Sequence, residues 1–205
     1  FFVVTLFCIT SAHANFYAPK AKLAGETVYV RITQNEAVVT AAYEFEEWIT
    51  KDEKTVYFPL FASKTESPIS ILSRSNITLT IADKDIGVAK PCDAPWQFEK
   101  PMNGPKVYWF VANLNDLVGE SDVDINNRIT LKVRYTQPFV AGIFYYLPVI
   151  IGHRDEFYEQ RSWKYQMHAR STERLIKVCS KNTDSERLGD SVIVYLKNGA
   201  VVALQ

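Results

Sequence analysis

Residues Arg128 to Ile151 (RITLKVRYTQPFVAGIFYYLPVII) constrain the fold more than any other stretch of the chain. Ile129, Leu131, Val133 and Tyr135 alternate with Thr130, Lys132, Arg134 and Thr136. Successive side chains of a strand point to opposite faces, so this half reads as a strand with one buried and one wet face. Pro138 and Gly142 then punctuate a connection. From Ile143 to Ile151 the chain is apolar on both faces, the pattern of a strand covered on both sides. A half-wet strand feeding a fully buried one belongs in the middle of a β-sandwich.

The same period of two recurs along the chain. Val28, Val30 and Ile32 alternate with Thr27, Tyr29 and Arg31, and Val39, Ala41, Tyr43 and Phe45 with Thr40, Ala42, Glu44 and Glu46. Thr50 to Lys54 is a polar turn, and Thr55 to Leu60 carries Pro59, which suits an edge strand. Ile69 to Ala82 reads as one or two strands, with Asp83-Lys84-Asp85 as a tight turn after it. Lys90 to Pro105 holds Pro91, Pro95, Pro101 and Pro105 and is the longest irregular connection. Lys106 to Ala112 is apolar on both faces, and Asn113 to Gly119 suits a single helical turn between an N-cap and a terminal glycine. Trp163, Tyr165, Met167 and Ala169 alternate with polar residues, and Arg174 to Cys179 reads as a further strand. Ser191 to Leu204, broken by Asn198-Gly199, reads as a hairpin on a type I′ turn, whose central residues need positive φ.

Strands at this spacing, with almost no helix, predict an all-β chain: an antiparallel β-sandwich of about ten to twelve strands. With no internal repeat and no dividing linker, residues 15–205 read as one domain. Ahead of it, FFVVTLFCITSAHA ends in Ala12-His13-Ala14, the h-region and cleavage site of a secretory signal peptide over residues 1–14. Its basic n-region is missing, so the start reads as truncated. The apolar run is shorter than the roughly 18 residues a transmembrane span needs. Export places the domain outside the cytoplasm, secreted or periplasmic. Lys plus Arg and Asp plus Glu number 23 each, which leaves no electrostatic argument for nucleic acid or an anionic membrane.

Tyr43 and Phe45, then Phe58, Pro59 and Leu60, then Val133, Tyr135 and Gln137, then Tyr146, Leu147 and Pro148 together carry a likeness. In that order and spacing they resemble the VIT-type β-sandwich of exported proteins, over residues 38–150. The resemblance implies a structural or interaction module without catalytic residues.

Each candidate site competes with a plainer reading. Cys92 and Cys179 follow the leader, and two cysteines in an oxidising compartment are most simply a disulfide. Asp122, Asp124 and Asn126 resemble the start of a calcium loop, with Asn127 where glycine normally turns the chain. The acid expected six residues further on is Val133, so a turn solvated by its own side chains competes. His153, Asp155 and Glu156 with His168 offer metal-binding groups at a spacing that fixes no geometry. Glu44 and Glu46 share one wet strand face, more simply cross-strand partners for Lys or Arg than a hydrolytic pair. Most aromatics read as core, while Trp96 and Phe98 in the proline-rich connection form the expected contact surface. Asn76-Ile77-Thr78 is a glycosylation sequon. The function these residues support is a non-enzymatic module that binds a protein partner, without a cofactor. A glycan-binding or glycan-cleaving domain is the alternative.

Overall fold

The computed structural model describes residues 22–46, 55–63, 65–86, 89–93, 106–114, 120–146, 165–180, 183–196 and 202–205. The chain is mostly β. At its centre β1 (Lys22–Ile32), β2 (Glu36–Glu46) and β8 (Arg128–Pro138) lie side by side. Thr33 sets the β1–β2 turn, its Oγ1 donating to the Glu36 carbonyl at 3.0 Å. β2 and β8 then pair without a break from Glu36–Pro138 to Glu46–Arg128. The alternation read from residues 129–136 holds, because every second residue from Ile129 to Gln137 is buried.

β10 (Tyr165–Arg170) joins the free side of β1, followed by β12 (Ser191–Tyr195) and β11 (Ser185–Leu188). Beyond β8 lie β4 (Thr78–Ile81) and β5 (Lys84–Asp85), completing an eight-stranded sheet. β1 and β10 run parallel, from Glu26–Tyr165 to Arg31–Arg170. The sheet is therefore mixed, and the expectation of a wholly antiparallel fold fails at this pair. Hairpins force antiparallel neighbours, but more than a hundred residues separate these two strands, so the return direction is unconstrained.

A three-stranded sheet is built from β3 (Thr55–Ala62), β7 (Lys106–Asn113) and β6 (Lys90–Cys92). β3 sits at its edge, where Pro59 leaves no central ladder bond unmade. A two-stranded sheet joins β9 (Phe144–Tyr146) to β13 (Val202–Leu204). The expected Asn198-Gly199 hairpin is not formed by the strands on either side of it. β12 is bonded to β10 on one side and β11 on the other, so it has no edge to offer β13. The hairpin that forms here is β11–β12, with Gly189 at φ 62°.

Two local expectations change as well. The first half of Ile69–Ala82 is helical: α1 (Pro68–Ser75) starts at Ser67, whose side chain accepts from the Ser70 amide, with Pro68 at the first position. Asn76 ends it in the left-handed region at φ 50°. Of the strand expected over 174–179, the end pairs: Lys177 and Cys179 bond through their backbones to Gln205 and Ala203 around a Val178–Leu204 bridge. No helix among the described residues is long and apolar enough to cross a membrane.

Side chains from all three sheets join one apolar cluster, among them Tyr43, Val133, Phe58, Phe110, Phe144 and Leu204. Gln137 ties the sheets together by hydrogen bonds. From β8 its Nε2 donates to the Tyr145 carbonyl at 2.9 Å, and its Oε1 accepts from the Phe61 amide at 3.5 Å.

Candidate functional site

The strand parity that buries Val28, Val30 and Ile32 also carries Glu26 inward. Its carboxyl is 0 % exposed. Tyr146 of β9 donates to Glu26 Oε1 at 2.5 Å, and the hydroxyls of Tyr146 and Tyr43 lie 3.1 Å apart. Burial pushes the Tyr146 phenol well above its ordinary range, and the neighbouring Glu26 adds to the effect. Burial, then Glu26, likewise raises Tyr165 to about 12. A buried carboxyl among tyrosines resembles an acid–base site in composition. A general base must, however, lie within hydrogen-bonding reach of a substrate proton. Sealed in the core, this group instead joins β1, β2 and β9 by satisfying its own polar atoms.

The acidic residues singled out by spacing have other partners. Asp122 Oδ1 accepts from Lys84 Nζ at 2.7 Å, so an ammonium stands beside the first carboxylate of the calcium-like loop. Asp124 Oδ1 accepts from the amides of Asn126 (2.8 Å) and Arg128 (2.9 Å), and Asn127 takes φ 59°. Those bonds, the Arg128 amide first, hold the Asp124 carboxyl below the usual range. The loop is closed by its own side chains. Glu44 and Glu46 both pair with Arg128, at 3.1 and 3.0 Å, as cross-strand partners from β2 to β8. No group of three or more His, Cys, Asp or Glu side chains among the described residues is placed to hold a metal ion.

Cys92 and Cys179 are free, so the expected disulfide is corrected. The two sit on separate elements: Cys92 in β6 of the three-stranded sheet, Cys179 beside β13. Burial, then the charge of Asp93, raises the Cys92 thiol to about 11. Cys179 is exposed, its Sγ 3.7 Å from the Lys177 carbonyl. At pH 8 only about one Cys92 in a thousand is thiolate, so a thiol reagent should modify Cys179 quickly and Cys92 slowly, with both reacting on unfolding. Peptide mapping of the labelled chain measures this. Finding both cysteines unlabelled in unfolded, unreduced protein would restore the disulfide.

On the outer face of the eight-stranded sheet Tyr29 is 57 % exposed. Its ring stacks on His168, with centroids 5.2 Å apart and planes at 24°. His168 Nε2 lies 3.1 Å from Gln166 Oε1. This placement of His168, on a strand face beside an aromatic ring, was not visible from its distance to the other histidines. The leader, the Trp96–Phe98 surface, and His153, Asp155 and Glu156 lie outside the described residues. No protein-family model matches the chain, and no curated protein compared with it is similar to it.

Proposed function

We propose that residues 15–205 form an exported β-sandwich module, secreted or periplasmic, that binds a protein partner along an exposed sheet edge. In this reading the eight-stranded sheet is one layer and the three- and two-stranded sheets are the other, thirteen strands among the described residues against the ten to twelve expected. The single apolar cluster drawn from all three sheets supports it. So does the VIT-type likeness, since Tyr43, Phe45, Phe58, Leu60, Val133, Tyr135, Gln137 and Tyr146 are all buried. The likeness points to a module of interaction or assembly.

The observation that carries the binding reading is the edge at β11. It is the terminal strand of the large sheet among the described residues. Arg187 donates from its guanidinium to the Ile176 carbonyl, which brings the 171–176 segment alongside that edge. Leu188 (59 % exposed) and Leu175 (75 % exposed) each adjoin in sequence one partner of that bond. Large apolar side chains exposed at the terminal strand of a sheet are what a partner strand or apolar surface covers. Glu186 and Arg187 within β11 limit indiscriminate pairing.

Replacing Leu188 and Leu175 by Asp tests this. Proteins captured by the full chain from extracts of its source should be retained roughly tenfold less by the double variant. Its melting midpoint should barely move, because surface changes stay within about 0.5 kcal/mol. Identical capture by both proteins would end the edge reading.

A further inference from the structure

We infer that the outer face of the sheet around Tyr29, Arg31 and Arg134 binds an acidic polysaccharide, one whose sugar rings carry carboxylates. This site stands apart from the β11 edge and does not depend on it. Strand register sets out its parts. His168, Tyr29, Thr40 and Arg134 form one lateral row across β10, β1, β2 and β8. Arg170, Arg31, Val38 and Thr136 form the next. Tyr29 and Arg31 thus border a strip floored by the small side chains of β2, with Arg134 on its far side. β1 and β8 are two strand spacings apart, roughly 10 Å.

The cations of this face divide into two groups. Arg128 pairs with Glu44 and Glu46, Lys132 with Asp83, and Arg170 with Asp190. Arg31 and Arg134 have no acidic partner among the described residues, and Glu36, further along β2, makes no ion pair with either. Arg31 lies directly opposite Arg170, whose charge Asp190 already offsets, so Arg31 is the open cation of that row. Planar guanidinium groups match carboxylates two bonds at a time.

Beside these two cations Tyr29 presents a ring held in place by His168 rather than left to rotate. A held aromatic ring loses little entropy on contact and offers an apolar face with a polar tip. Sugar rings present apolar C–H faces for such a ring, and uronates supply the carboxylates. A peptide is the poorer match, because it binds sheets by adding at an edge, and mid-sheet strands have no backbone groups left to offer. Nucleic acid would need more cations than two.

The test is calorimetric titration of the full chain at low salt with polygalacturonate, against dextran as a neutral polymer and polyglutamate as an acidic peptide. Polygalacturonate should bind, dextran should not, and polyglutamate should bind at least tenfold more weakly. Tyr29→Ala, and separately Arg31→Ala with Arg134→Ala, should each weaken polygalacturonate binding roughly tenfold or more without moving the melting midpoint. Leu188→Asp should leave it unchanged. No binding of polygalacturonate, equal binding of dextran, or polyglutamate binding as tight and indifferent to Tyr29→Ala would each overturn the inference.

Discussion

Phe110→Ala should lower the stability of the protein by about 3–5 kcal/mol. Phe110 lies in β7, the middle strand of the three-stranded sheet, with β3 on one side and β6 on the other. It is fully buried, sits directly opposite Phe58, and their rings stack with centroids 5.8 Å apart. On its other flank it is opposite Pro91. Strands paired on both sides cannot shift to fill the space, so most of the cavity persists after truncation. A loss of that size is a large part of the 5–15 kcal/mol a domain usually has. Denaturant midpoints of wild type and variant measure it. The neighbouring Val111, half-buried on the opposite face, serves as the control, and Val111→Ala should cost less than about 1 kcal/mol. A Phe110→Ala loss equally small would show that the three-stranded sheet does not share the common core.

Tyr146→Phe should cost about 1.5–3 kcal/mol, because it removes a hydroxyl that donates to a buried carboxyl. Burial leaves no water at Glu26 to replace that 2.5 Å bond. Tyr43→Phe should cost less, about 1 kcal/mol, since Tyr43 is linked to Tyr146 at 3.1 Å, hydroxyl to hydroxyl. The same site sets an alkaline limit. The Tyr146 pKa is raised in the folded protein, so the folded state keeps its proton after an unfolded tyrosine has lost one. Stability from this group is full below about pH 10 and falls as pH rises beyond it. Tyr165, at about 12, adds to the loss between about pH 10 and 12. Tyr146→Phe should flatten this alkaline decline while lowering stability at neutral pH. An unchanged decline in the variant would place its cause elsewhere.

The strands at the centre of the sheet were legible because one face is wet and one dry. Ile129 to Tyr135 and Val39 to Phe45 alternate cleanly, and both strands stand where that alternation put them. Period, however, says which side a residue faces and nothing about the neighbouring strand. The parallel β1–β10 pair and the failed Asn198-Gly199 hairpin are both of this kind. Asn-Gly favours a hairpin locally, but β12 already had both edges bonded. Helix α1 was missed although Ser67-Pro68 carries an N-cap and a first-turn proline, since the apolar Ile69, Ile71 and Leu72 resemble a strand when those signals are passed over. Glu26 and Gln137 could have been found by carrying the apolar parity of β1 and β8 one step further. Parity alone puts both inside, where an acid and an amide need partners. The Tyr29–His168 stack depends on two strands brought together from residues far apart, which no local pattern encodes.

The two proposals place binding on the outside of the protein, at the β11 edge and the wet face, while the buried carboxyl and tyrosines join β1, β2 and β9. Tyr146→Phe separates the outside from the buried cluster most directly. Partner capture by this variant should be measured well below its own melting midpoint, beside Leu188→Asp. Tyr146→Phe should show full capture despite its lower stability, and Leu188→Asp should lose capture despite unchanged stability. Folded Tyr146→Phe protein that fails to capture the partner, with Leu188→Asp unaffected, would contradict the edge reading and place function at the buried cluster.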